Sequence, residues 1–400
     1  MEIKQSFTQL SRYCEAEQFK GWDPFDGLNS RVLQATLPLK HSAILRLLVI
    51  QGFKRSPINL RSILCVPKDY NAKGIGLFLQ GCCNLVRVVS EKPELEKELG
   101  NKESLIKRVD ELAVLLINLR SKGYHGSCWG YNFDWQSRRL FLFPAYCPTV
   151  VATSFCATAL MDAYEITGKK EYLNVALDSA NFILSDLHLD DYEGEKMISY
   201  SPLHGNDLVS NASLLGSKVL AYCYKYTRNE NYLNVARSSV RACCKGQRAD
   251  GAWTYSQIPP KLWVDSFHTG YNLDGLIAYE EQTGDKDYHE NIERGFDYYI
   301  KNFFNEDGSP KYYDNQQYPI DIHCPGQLLV TLHRLHKFEE HKELAEKVLN
   351  WTIENMQDKK GYFYYQLKKG VSSKISYMRW SNAFMFYAMS YYLLDKYTAK

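Results

Sequence analysis

The chain has no apolar run approaching the roughly 18 uncharged residues that a membrane-spanning helix needs. Its opening residues, MEIKQSFTQLSRYCEAEQ, carry acids early and lack the apolar core of a secretory leader, so a cytoplasmic location without membrane contact is expected. Neither sign of charge is in excess. The 48 basic and 46 acidic residues leave a formal net charge of +2, with no basic stripe, which argues against nucleic acid as a partner. A glycine-rich phosphate loop, a dinucleotide fingerprint and a G-x-S-x-G elbow are all missing, and no cofactor is expected. C-x2-C spacing is absent too. The eleven cysteines are odd in number and partly embedded in helical patterns, which fits buried reduced thiols better than a disulfide framework.

What is abundant is tyrosine, thirty against eighteen phenylalanines. A flat apolar ring with a polar tip suits both amphipathic helix packing and a wet aromatic cleft. The chain also repeats itself. YLNVA stands at 172–176 and again at 232–236, preceded by apolar segments that end in AYEITGKK and CYKYTRNE. A third copy reads AYEEQTGDKDYHENIERGFDYYI, and a degenerate fourth LHRLHKFEEHKELAEKVLNWTIENM. A period of about 55–60 residues, each unit a helix, a short connection and a second helix, marks a repeat architecture.

Leu173, Ala176, Ala180 and Ile183 fall on one helical face. The first helix of each pair, as in TVVATSFCATALMDAY or NAFMFYAMSYYLL, is apolar almost all round, while its partner carries the charges. This pattern predicts an inner and an outer ring. Hairpins are predicted at roughly 73–122, 150–187, 208–247, 266–304 and 321–357, with a last inner helix at 376–396. Its outer partner is expected from within residues 3–52. The expected fold is all-α: an (α/α)6 toroid in one domain, with residues 1–72 closing the ring and 73–400 forming the toroid.

The inner-to-outer connections are short and bland, whereas the outer-to-inner ones carry nearly every unusual residue. Chain direction alternates with each helix, so all of the latter share one end and converge on the mouth of the central cavity. That places Asp134, Asp265, His268, Asp321, His323, Tyr271 and Arg379 there as candidates for acid/base chemistry and substrate polarisation. Trp129, Tyr131, Trp135, Tyr200, His204, Asn211, Trp253, Asn272 and Trp380 are the candidate substrate-binding residues, since aromatic faces stack on sugar rings and amides bind hydroxyls. Each has a plain alternative. A Gly-x-Trp turn can plug the gap between hairpins, which is the favoured reading of Trp253 in QRADGAW; Trp129 and Trp135 lean towards the substrate platform. Asp265 and Ser266 are equally good helix caps. Asp321, His323, Cys324 and His268 are acceptable zinc ligand types, but their spacing is wrong, and no metal is expected. Inner-helix N-termini at the mouth favour an anionic ligand such as a uronate or phosphate.

Two resemblances enter here. QRADGAW resembles the Q-x-x-D-G-x-W turn of terpenoid-cyclase toroids, although their D-x-D-D acid motif is absent. More broadly the chain is similar to (α/α)6 carbohydrate enzymes: six-hairpin glycosidases, sugar 2-epimerases and the helical domain of glucuronyl C5-epimerases. WGYNFDWQSR, the P-T-x-x-x-T-x-F helix, SYSP, DGAWTY and DSFHTGYNL also look like a bacterial family associated with polysaccharide-biosynthesis clusters, over roughly residues 120–390. The 2-epimerase R-H-P-G-H signature is not present. The resemblance implies a carbohydrate-active enzyme on a saccharide or sugar conjugate, of hydrolase, lyase or epimerase type. A non-catalytic glycan-binding or assembly protein, and an isoprenoid-binding toroid with an apolar cavity, are the alternatives.

Overall fold

The computed structural model describes residues 2–137, 141–205, 207–259 and 261–398. Among them six helices line a central axis: Ala72–Glu91, Val150–Thr167, Ser210–Thr227, Ser266–Thr283, His323–Arg334 and Phe384–Tyr397, here the first to sixth inner helices. Each packs on the next, and the sixth packs on the first, so the inner ring is closed. The outer ring runs Lys102–Asn118, then the consecutive helices Lys170–Leu177 and Ser179–Ser185, then Glu230–Lys245, His289–Phe303 and Lys342–Met356. The N-terminal helix Ile3–Ala16 lies against the last of these and against the sixth inner helix. The fold is thus an all-α (α/α)6 toroid. No described helix is long and apolar enough to cross a membrane.

The repeated short turns have a common local cause. Thr167, Thr227 and Thr283 end three inner helices, and each hydroxyl donates to the carbonyl four residues back at 2.7 Å. The same hydroxyls accept the backbone N–H two residues on, at 3.3, 3.3 and 3.2 Å. The intervening residue is left-handed: Gly168, Arg228 and Gly284. A hydroxyl that satisfies both ends of the turn, followed by an αL residue, is what T-G and T-R encode.

The turns at the other end dock each hairpin onto the next outer helix. A Cβ on Gly126 would meet the Asp178 carbonyl at 2.4 Å; on Gly251, that of Arg294 at 2.3 Å; on Gly361, that of Gln9 at 2.4 Å. Gln247 donates to the Gly251 and Asn291 carbonyls, and Gln357 repeats this with those of Gly361 and Ser6. The contact of Gly361 and Gln357 with the N-terminal helix shows that this helix takes the place of the next outer helix in the ring.

Three small sheets, which the helical periodicity does not predict, stiffen the mouth turns. They are the hairpins Trp135–Gln136 with Leu142–Phe143 and Leu189–Tyr192 with Glu195–Ile198, and a three-stranded sheet of Ile320–Asp321, Tyr364–Leu367 and Ser373–Ser376. Nine of the eleven cysteines are buried and all are free thiols.

Candidate functional site

The sixth mouth connection is the longest and carries none of the predicted site residues. Outer helices run towards the mouth and inner helices start there, so residues 17–71, between the N-terminal helix and the first inner helix, form a cap at this end. The cap has a small core of its own, Leu28, Leu39 and Ile50, against which Trp135 packs. It is fastened by charge. Arg379 Nε lies 2.5 Å from Asp23 Oδ2, and Arg61 Nε lies 2.7 Å from Asp26 Oδ1, all four side chains being buried. Arg61 also donates to the Asp23 carbonyl and the Tyr377 hydroxyl. Burial works against the Arg379 charge, but the Asp23 carboxylate prevails and holds it above the ordinary arginine value. Burial, opposed by Arg61, pushes Asp26 up to about 6. Asp23 would have been found by applying the alternation rule to the N-terminal helix.

The structure brings together most of the predicted catalytic residues. Asp265 caps the fourth inner helix, its Oδ1 accepting the His268 N–H at 3.0 Å. Its Oδ2 lies 2.7 Å from His268 Nδ1 and accepts the Trp263 indole N–H at 3.0 Å. A carboxylate only accepts, so Nδ1 carries the proton and Nε2 is left as the basic nitrogen. Among the described residues Nε2 has no hydrogen-bond partner, and the His268 side chain is 20% exposed. Tyr255 and Tyr271 stand edge-on to the ring.

One hairpin on, Asp321 is fully buried. It accepts the His323 N–H (3.0 Å), the Trp380 indole N–H (2.9 Å) and the Gln366 amide (2.6 Å). Burial raises its pKa, and those three donors oppose the rise. His323 stacks on Phe384 at 4.0 Å and touches Trp380 and Phe267. Its Nδ1 is 3.7 Å from Asp321 Oδ1 and makes no hydrogen bond among the described residues. Burial first, and then the Arg379 guanidinium, hold its pKa well below the ordinary 6.5. In the unfolded chain this histidine takes up a proton below about 6.5, whereas in the folded state it stays neutral. Acid therefore favours unfolding, by up to about 1.4 kcal/mol per pH unit below that value. Urea titrations from pH 7.5 to 5 are expected to show this loss in the wild type relative to His323→Gln; parallel curves would contradict it. Asp26 pulls the opposite way in acid but is common to both proteins.

Tyr131, Tyr200, Tyr271, Trp380 and Arg379 form the wall. The Arg379 guanidinium lies 4.8 Å from the Tyr131 ring centroid and 5.1 Å from that of Trp380. Tyr200 has its pKa raised, by burial first and then by Tyr131. Asn211 and Asn272 are buried on the third and fourth inner helices, each with an amide oxygen that has no partner among the described residues. Buried amide acceptors left open near an aromatic wall are what a hydroxylated ligand would fill.

Other predicted residues lie elsewhere. Trp129 is fully buried and its indole donates to the Leu116 carbonyl at the end of an outer helix. Trp253 does the same to Cys243, with its ring pressed on Gly295. Both are interhairpin plugs, so Trp129 leaves the substrate platform and Trp253 the binding set. Trp135 packs edge-on to Phe25 of the cap and against Phe143. Asp134 is half-buried and accepts the Ala145 N–H within its own hairpin. His204 is exposed and stacks on His188 at 4.2 Å. Trp253 is the plug its turn predicted, whereas Trp129, Trp135, Asp134 and His204 depart from the predicted site because a motif shows which end of the barrel a residue occupies, not which way it faces.

Deeper along the axis the lining is charged. Lys218 and Arg334 flank Asp274 at 2.7 and 3.3 Å, and Arg87 pairs with Asp162 at 3.1 Å. An isoprenoid site would need an apolar cavity there, so that alternative is set aside. Among the described residues no three His, Cys, Asp or Glu side chains converge as a metal site.

The fold is the closed six-hairpin (α/α)6 toroid, with the mouth turns gathered at one end. Residues 266–398, from the fourth inner helix to the end, match the model of Glycosyl Hydrolase Family 88. The structure is similar to that of an unsaturated glucuronyl hydrolase specific for heparin (TM-score 0.61, 13% identity, covering 99% of this chain and 95% of that one). It is also similar to a GH76 α-mannanase of Bacteroides thetaiotaomicron (0.59, 13%, 82% and 86%) and to cellobiose 2-epimerase of Bacillus thermoamylovorans (0.59, 13%, 81% and 90%). No curated protein matches the chain. At this identity the shared property is the architecture.

Proposed function

We propose that the mouth binds a uronate-bearing saccharide or sugar conjugate and acts on it by cofactor-independent acid/base chemistry, in bacterial polysaccharide metabolism in the cytoplasm. The observation that carries this reading is the Asp265–His268 pair: a buried carboxylate orients the imidazole and leaves Nε2 as the open, basic nitrogen among Tyr255, Tyr271 and Phe267. The same arrangement lets one histidine accept a proton in one step and return it in another. Tyr131, Tyr271 and Trp380 supply ring faces, and the Arg379 guanidinium supplies a fixed positive charge for a carboxylate. The family match and the neighbours, which include an unsaturated glucuronyl hydrolase, support the same substrate class.

A panel of neutral and uronyl oligosaccharides, saturated and unsaturated, with products read by mass spectrometry, tests it. Turnover of a uronyl member is expected, reduced by about 10²–10⁴-fold in His268→Ala. Asp265→Asn is expected to fall in the same range, because an amide no longer holds the Nδ1–H tautomer. Tight binding without turnover, unchanged by either substitution, would identify a glycan-binding protein instead.

A further inference from the structure

Lys73, in the first turn of the first inner helix and so at the mouth end, is a lysine that none of these roles uses. Lys73 enters from the first inner helix and Tyr271 from the fourth, which stands opposite it in a ring of six. The two meet across the axis, with Lys73 Nζ 3.2 Å from the Tyr271 oxygen. Nζ also lies 4.2 Å from the Phe155 ring centroid and 5.1 Å from that of Tyr271. Lys73 is 4% exposed, and among the described residues no carboxylate comes within 4.0 Å of it. The charged and titratable groups acting on it are few. Arg379, from the turn before the sixth inner helix, opposes an ammonium, while Cys156 of the second and Asp23 of the cap weakly favour one. His323 of the fifth is neutral. The ring faces favour an ammonium modestly. Burial, and then the nearby Arg379 guanidinium, outweigh them and hold the amine well below the ordinary lysine range.

We propose that Lys73 is a catalytic base of this site, removing, through the Tyr271 phenol, the proton on the carbon next to the carboxylate of a bound uronate. This rests on the saccharide reading of the mouth. The C–H bond breaks and its electron pair stays on the substrate as an enolate shared with the carboxylate. The released proton goes to the Tyr271 oxygen as the phenolic proton goes to Nζ, leaving an ammonium and an enolate. The Arg379 Nη groups make no hydrogen bond among the described residues, since only Nε holds Asp23. They are therefore available to the enolate oxygens. Return of a proton to the opposite face inverts the carbon; loss of the group on the neighbouring carbon gives elimination. Both outcomes need a base at this position. Asp23, Asp265 and Asp321 are already engaged: Asp23 with Arg379, Asp265 with His268, and Asp321 with Trp380 and Gln366.

The test places wild type, Lys73→Met and Lys73→Arg in D₂O with glucuronate–N-acetylglucosamine tetrasaccharides and with oligogalacturonates. Deuterium at the carbon next to the carboxylate, or an unsaturated product, is read by NMR and mass spectrometry. Wild type is expected to give one or the other, and both variants to lose it by about 10³-fold, with tetrasaccharide affinity within about threefold for Lys73→Met. Independently of turnover, an NMR titration of Nζ in the wild type is expected to show its midpoint well below the about 10.4 of a free lysine. Exchange that persists in Lys73→Met, bound saccharide that neither exchanges nor eliminates, or an Nζ that titrates as a free lysine would overturn the proposal while the saccharide reading stands. If no panel member binds the wild type, that reading falls and this one with it.

Discussion

Replacing Asp23 by alanine is expected to lower the unfolding free energy by about 3–5 kcal/mol, the cost of leaving a buried charge without its partner. Arg379 is 4% exposed, its only ion-pair partner among the described residues is Asp23 at 2.5 Å, and the rings of Tyr131 and Trp380 lie beside its guanidinium. Asp23 also belongs to the network that ties the cap to the sixth inner helix, with its N–H donating to Asp26 and its carbonyl accepting from Arg61. The double variant Asp23→Ala/Arg379→Met is expected to recover part of the loss, because the desolvation of both charges disappears with them. Urea unfolding with tryptophan fluorescence measures all three proteins. A loss below about 1 kcal/mol in Asp23→Ala would mean that the cap is held by its apolar core alone, at the value typical of exposed pairs.

Trp253→Ala is expected to cost about 3–5 kcal/mol and to leave saccharide affinity unchanged. Its ring fills the space between two hairpins, where a Cβ on Gly295 would come within 2.4 Å of it, so no neighbour can collapse into the gap without moving a helix. The buried Cys243 carbonyl would lose its indole donor as well. Trp380→Ala should do the reverse, since that ring is half-buried in the wall and donates to Asp321. Calorimetric binding and thermal melting of both variants separate the two roles. A Trp253→Ala protein with normal stability and lost saccharide affinity would return this residue to the binding surface.

The contrast between these two tryptophans shows what could be read from residue order. Both sit in mouth turns with aromatic and polar neighbours, and their local sequence places both at the same end of the barrel. Trp253 follows a D-G turn whose glycine must approach the Arg294 carbonyl, which drives the indole between helices. Trp380 follows the strand Ser373–Ser376, whose sheet partner Tyr364–Leu367 also pairs with Ile320–Asp321, and that sheet sets it beside Asp321 and His323. The sheet joins segments far apart in the chain, so no local pattern announces it. DSFHTGYN was more legible because its chemistry is local: a cap at Asp265, a histidine one turn on, and a helix geometry that brings the two within 2.7 Å.

The sequence by itself determined the hairpin repeat, the inner and outer faces, and the end of the barrel at which each connection lies. All three follow from a 3.6-residue period and from a chain that reverses with each helix. Only the tertiary structure decided which mouth residues face the axis and which carboxylates are already paired. It also decided that Lys73 meets Tyr271, 198 residues away in the chain. Closing six hairpins into a ring makes neighbours of helices that no periodicity relates, and the contacts across its axis exist only once the ring has closed.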